Sequence, residues 1–171
     1  MHIKEELAER HTLSVLVDNE PGILARIAGM FTARGYNIES LTVTDVSEDQ
    51  SVSRITIVTS ASSHVMEQII AQLDRLVPVH RVTDLTAFGP HVERELALVK
   101  VAGRGDDRIE ALRLADVYRA RVVDATTASF IFELTGSTDK IDSFVALMRE
   151  VGLVEVARTG VVAIARGAEA A

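Results

Sequence analysis

The chain has 171 residues, which at about 150 residues per domain is one domain or two small ones. Hydrophobic residues make up 47% and charged residues 25%, enough apolar material for a packed core and too much for a disordered chain. Lys and Arg number 18 against 25 Asp and Glu, a formal net charge of −7, and neither half carries the basic excess of a nucleic-acid binder.

The absence of cysteine excludes disulfide scaffolds, thiolate zinc sites, iron–sulfur clusters and cysteine nucleophiles. His2, His11, His64, His80 and His91 are scattered, with no close pair at metal-ligand spacing, so no metal site is expected. The N-terminal stretch MHIKEELAERH is charged from the start and lacks the apolar run of a signal peptide. No segment approaches the roughly 18 to 20 consecutive apolar residues of a membrane span. The expected location is cytoplasmic, with neither membrane nor nucleic acid as partner.

Residues 12–18 (TLSVLVD) alternate as a strand with Leu13, Val15 and Val17 on one face and Leu16 on the other. After DNEPG, residues 23–35 carry a helical stripe of Ile23, Leu24, Ile27, Ala28 and Phe31. Pro21 suits a first helical turn, Asp18 or Asn19 its cap, and Gly35 its left-handed stop. NIESLTVTDV and SVSRITIVTS read as strands joined by a hairpin through an acidic turn. A helix capped by Ser62 or Ser63 follows, with Val65, Met66, Ile69, Ile70, Leu73 and Leu76 as its stripe and Pro78 as its stop; VHRVTDLT is a fourth strand. The order β-α-β-β-α-β is the ferredoxin-like unit.

TAFGPH reads as a linker, after which the element order repeats. A strand runs from Glu95 to Val101, GRGDD turns, and a helix near 107–118 shows Ile109, Leu112 and Ala115. ARVVDAT and SFIFELT are strands, the second with Phe130, Phe132 and Leu134 on one face. A helix with Ile141, Phe144, Val145 and Met148 precedes closing strands in VEVARTGVVAIAR. The expected fold is α+β: two tandem ferredoxin-like βαββαβ units, residues 11–87 and 92–167, each an antiparallel sheet with helices on one face. Units this small bury a low fraction of their surface and leave one sheet face uncovered, so side-by-side homodimerisation through edge strands is expected.

DNEPGIL (18–24) places a strand end, a turn and a helix N-terminus together. The free N–H groups of Gly22, Ile23 and Leu24, backed by the helix dipole, suit an anion. Without a lysine in the loop or GxxxxGK[ST], a carboxylate fits better than a polyphosphate. The Asn19 amide both donates and accepts, which suits a zwitterion. GYNIESLTV (35–43) places Gly35, Asn37 and Ile38 where the helix gives way to a strand. On spacing alone each segment also reads as an ordinary capped or terminated helix.

Taken together, the run from LSVLVDNEPGILARIAGMF to RGYNIESLTV resembles the amino-terminal ACT domain of the acetolactate synthase small, regulatory subunit. HVERELALVKV and VEVARTGVVAIARG resemble its carboxy-terminal domain. The likeness extends from about residue 11 to 167 and leaves out the ten-residue head and the GAEAA tail. It implies a chain that is not a catalyst alone and holds no cofactor. Its partner, the large catalytic subunit, carries thiamine diphosphate, Mg²⁺ and FAD. The small subunit raises that activity and confers feedback inhibition by a branched-chain amino acid, usually valine. The resemblance places Asn19, Gly22, Ile23 and Leu24 at the effector site, with Asn37 and Ile38 reaching it from the neighbouring ACT domain of a homodimer. A free-standing ACT amino-acid sensor acting on another protein is the alternative.

Other features read as structure. Asp45, Glu48 and Asp49 form a solvated hairpin turn, GRGDD (103–107) a turn and cap, His91 with Glu93 and Arg94 a linker or strand edge. The second unit has no DNxPG or GYN counterpart, so the amino-acid site belongs to the first.

Overall fold

The computed structural model describes residues 7–171; His2 and the charged head as far as residue 6 lie outside the described residues. The elements are β1 (Glu9–Asp18), α1 (Ile23–Ala33), β2 (Ser40–Asp45), β3 (Val52–Ala61), α2 (Ser63–Asp74), β4 (Val79–Asp84), α3 (Leu85–Phe88), β5 (His91–Ala102), α4 (Asp106–Val117), β6 (Arg121–Ala125), β7 (Ser129–Gly136), α5 (Thr138–Glu150), β8 (Leu153–Arg158) and β9 (Val162–Ala165). Two compact units result: the described residues up to Val92 together with Val161–Ala171, and Glu93–Gly160.

The first unit is an antiparallel sheet in the order β2-β3-β1-β4. β1 begins three residues before the expected start, because Glu9, Arg10 and His11 continue the ladder opposite Ala61, Ser60 and Thr59. Its alternation sends Leu13, Val15 and Val17 into a core with Ile55 and Ile57 of β3, Ile27 and Phe31 of α1, and Ile69 and Leu73 of α2. Gly35 (φ 70°) ends α1 as expected: Gly35 N–H donates to Thr32 O and Tyr36 N–H to Phe31 O, a Schellman arrangement sealed by the Phe31–Tyr36 edge contact.

The TAFGPH stretch is not a plain linker. Asp84 Oδ1 accepts from Thr86 N and Ala87 N and so caps α3, while Asp84 Oδ2 lies 2.7 Å from buried His11 Nδ1. The outer face of this sheet is also covered by its own chain. Thr12, Ser14, Thr56 and Val58 are buried there, against α3 and the segment Val161–Ala171. That segment is fastened by Val161 N–H donating to Ser40 Oγ and Thr42 Oγ1 donating to Val161 O. Residues 161–167, expected in the second unit, therefore fold with the first; the reason is that Val161 and Ala163 find their burial there.

In the second unit the strand order is β6-β7-β5-β8. Phe130, Phe132 and Leu134 meet Ile141, Phe144, Val145 and Met148 in its core, as their spacing predicts. The stripe of α4 matches expectation only at Ala115. Ile109 and Leu112 are exposed, and Ala111 and Leu114 are buried beside Ala115 instead. Two small alanines allow close approach to the sheet, and the helix is clamped in that rotation by Arg108. The Arg108 guanidinium sits 3.8 Å over the Phe130 ring and donates to Thr126 O. The outer face of this sheet carries exposed Leu98 between the ion pairs Lys100–Glu155 and Arg121–Glu133. No helix among the described residues is long and apolar enough to cross a membrane.

Candidate functional site: the loop between β1 and α1

β1 ends at Asp18, whose N–H donates to Pro78 O and whose Oδ1 lies 2.6 Å from His80 Nε2. The chain then turns through Asn19, Glu20, Pro21 and Gly22 into α1. Asn19 is held twice by the β2–β3 hairpin: its N–H donates to Ser51 O at 2.8 Å and its Nδ2 donates to Gln50 O at 2.9 Å. With the amide nitrogen tethered, Asn19 Oδ1 is an acceptor that takes no bond among the described residues, on an exposed residue.

Gly22, not Asp18 or Asn19, is the N-cap of α1. It stands at φ 88°, ψ −4°, and no side chain caps the helix. Pro21 therefore precedes the helix instead of opening its first turn. Without a capping oxygen, the first-turn donors stay available. Ile23 N–H is taken by Glu20 O at 3.3 Å, contrary to expectation. Among the described residues, the N–H groups of Gly22, Leu24 and Ala25 have no protein acceptor. A Cβ built on Gly22 would meet nothing within 4 Å, so the approach to these donors is open. The loop thus offers N–H donors for a carboxylate and one amide oxygen for an ammonium.

The apolar residues of the expected site divide. The Ile23 side chain belongs to the core, Ile38 is half-buried against it, and Leu24 stands 40% exposed, outside the stripe of Ile23, Ile27, Met30 and Phe31. Asn37 is exposed, and its carbonyl accepts from Thr59 Oγ1 at 2.6 Å. It lies far from the loop. Ser40 pairs with Val58 and Val58 with Thr12, whereas Asp18 pairs with Val52 at the other end of the ladder. Six residues of strand separate these ends, about 20 Å, so one copy of the unit does not bring Asn37 to its own Asn19. Gln50 and Ser51 were invisible as participants in the sequence, because the hairpin that carries them lies some thirty residues downstream and no local pattern marks them.

Elsewhere, the acidic hairpin is a turn built on hydroxyls: Asp49 Oδ1 accepts from Ser51 N and Ser51 Oγ, and Asp45 Oδ1 from Ser53 Oγ. No group of three or more His, Cys, Asp or Glu side chains able to hold a metal ion occurs among the described residues.

The architecture defines a class of protein with two ferredoxin-like units in tandem, the first bearing an uncapped helix N-terminus beside a tethered asparagine. Comparison with known proteins narrows the class. Residues 13–81 match the family model for the AHAS small subunit-like ACT domain, and residues 94–167 match that for the small subunit of acetolactate synthase. The probable acetolactate synthase small subunit of Archaeoglobus fulgidus is 48% identical over 158 residues, covering 92% of this chain and 98% of its own. The acetolactate synthase isozyme 3 small subunit of Escherichia coli is 46% identical over 159 residues, covering 92% and 96%. The crystal structure of the acetolactate synthase small subunit from Thermotoga maritima superposes with a TM-score of 0.83 at 36% identity, covering 94% and 99%. This chain belongs to the acetolactate synthase small subunit family.

Proposed function

We propose that this chain is the regulatory subunit of a cytoplasmic acetolactate synthase. It activates the catalytic large subunit, which carries thiamine diphosphate, Mg²⁺ and FAD, and makes it sensitive to a branched-chain amino acid, valine first. The observation that carries the effector assignment is the β1–α1 loop. Free N–H groups at Gly22, Leu24 and Ala25 suit an α-carboxylate, and Asn19 Oδ1, fixed by the Gln50 bond, suits an α-ammonium. Leu24 and Ile38 supply apolar surface for a branched side chain. Each methylene in such a slot discriminates by only about 1 to 3 kcal/mol, so leucine and isoleucine compete with valine.

The separation of Asn37 from Asn19 within one copy supports a site shared by two. β2 is an edge strand. A two-fold axis beside it pairs β2 antiparallel with its counterpart and carries Asn37 and Ile38 of one copy to the sheet end that holds the other copy's Asn19 loop. Pairing through β4, the opposite edge, would put the whole width of both sheets between them. Effector binding then tightens the two-fold seam, and the enzyme docked on the pair senses the change through the difference in effector affinity between two states.

The test is acetolactate formation by purified large subunit with this chain, with and without valine. Wild type should raise activity and valine should suppress it. Asn37→Ala should activate equally and lose the inhibition. A variant as valine-sensitive as wild type removes Asn37 from the site, and failure of wild type to activate points to a free-standing sensor.

A further inference from the structure

Under the segment Val161–Ala171, on the sheet face opposite α1 and α2, lies a cavity of about 240 Å³. Ser14, Arg54 and Leu85 form its floor, and Ala163, Ile164, Ala165 and Gly167–Ala171 its walls. Two features set it apart from a packing gap between apolar groups. Ser14 is 5% exposed, yet its hydroxyl pairs with no group among the described residues. Arg54 makes no ion pair or hydrogen bond there, and its Nε is shut off from solvent without an acceptor. Buried polar groups are nearly always satisfied, and a guanidinium with an idle N–H has a strong claim on an anion. The register brings the two together. Ser14 pairs with Thr56, and Arg54 lies two residues along β3, a diagonal neighbour on the same face about 7 to 8 Å away at Cα.

We infer that this cavity is a binding site for a small monocarboxylate with a short apolar body, distinct from the β1–α1 loop. Arg54 takes the carboxylate, Ser14 donates a hydroxyl to it, and Leu85, Ala163 and Ala165 cover the apolar part. The guanidinium fork matches a carboxylate in geometry. Glu169, the acidic side chain among the lining residues, is exposed and opposes the anion, which sets a modest affinity.

Isovalerate is the probe, because it keeps the carboxylate and branched body of valine and lacks the ammonium that the loop site requires. Titration of the full-length chain by calorimetry should give saturable binding. Arg54→Gln should weaken it by about tenfold or more, the near-isosteric Ser14→Ala by a few-fold, and Glu169→Gln should tighten it. Asn37→Ala, aimed at the loop site, should leave it unchanged. Binding that never saturates overturns the inference, as does binding by both Arg54→Gln and Ser14→Ala that equals wild type. Loss on Asn37→Ala would place the probe in the loop and overturn it too.

Discussion

Asn19 Nδ2 donates to Gln50 O at 2.9 Å, so the β2–β3 hairpin sets which end of the Asn19 amide is left for the proposed effector. Asn19→Asp replaces that donor by a carboxylate and turns an attractive contact with the Gln50 carbonyl into a repulsive one. Because Asn19 is exposed, the fold should survive with a loss under about 1 kcal/mol. Effector affinity should fall by about tenfold or more, since a charged group rotates freely where a fixed amide stood. Calorimetry with valine, beside thermal unfolding, checks both halves. Unchanged affinity would show that the Gln50 tether has no part in recognition.

How far the sequence revealed this arrangement depended on the range of the interactions. Period-2 patterns at Leu13, Val15 and Val17 and at Phe130, Phe132 and Leu134, and the stripe of α5, were legible because burial there follows directly from local geometry. Where two apolar series interleave, as on α4, the pattern could not say which one faces the sheet; Arg108 stacked on Phe130 decides it. The covering of the first sheet by Val161 was hidden, since the Ser40 and Thr42 hydroxyls that hold it lie about 120 residues earlier. The same limit applies to the loop. DNEPG announced a helix N-terminus, but the acceptor of Ile23 N–H and the tether of Asn19 are properties of the folded turn.

Gly152 has the least tolerant backbone position in the second unit. Its φ is 108°, and a Cβ there would collide with Ala102 O, while its own carbonyl accepts from Ala102 N. Backbone cannot retreat without losing that bond. Gly152→Ala should cost more than about 4 kcal/mol, the range of the severest single substitutions, and unfold Glu93–Gly160 at ordinary temperature. Hydrogen exchange of β5 and β7 amides reports it; a variant with wild-type protection there would contradict the steric argument.

A half-buried ion pair closes the far end of the same sheet. Arg158 grips Glu95 through Nε at 2.8 Å and Nη2 at 2.7 Å, and reaches Asp142 of α5 through Nη1 at 2.6 Å. The Glu95 contact, then that to Asp142, hold the guanidinium charged well above its usual range. Glu95 is 5% exposed, so Arg158→Ala leaves a buried carboxylate unpaired. The expected loss is about 3 kcal/mol, the low end for a broken buried pair because Arg158 keeps some contact with water. Arg158→Lys should recover only part of it, since an ammonium cannot reproduce the two-pronged contact. Chemical denaturation of the three proteins gives the order directly, and equal stability of Arg158→Ala and wild type would refute it.

Asp49 offers a test by pH. Its carboxylate accepts from Ser51 Oγ and Ser51 N; the Ser51 hydroxyl first, then the nearby Ser47 hydroxyl, lowers its pKa from 3.8 to about 2. A depressed carboxylate favours the folded turn when ionised. That contribution is therefore complete above the unfolded value near pH 4 and is lost as pH falls through about 2. The carboxyl ¹³C signal of Asp49 should titrate near 2 in wild type and move back toward 3.8 in Ser51→Ala, which removes the largest cause. The Asn19 N–H bond is to the Ser51 carbonyl and survives that substitution, so valine affinity at neutral pH should stay within about twofold. A wild-type midpoint at the ordinary carboxylate value would show that the hydroxyls do not hold Asp49 in solution.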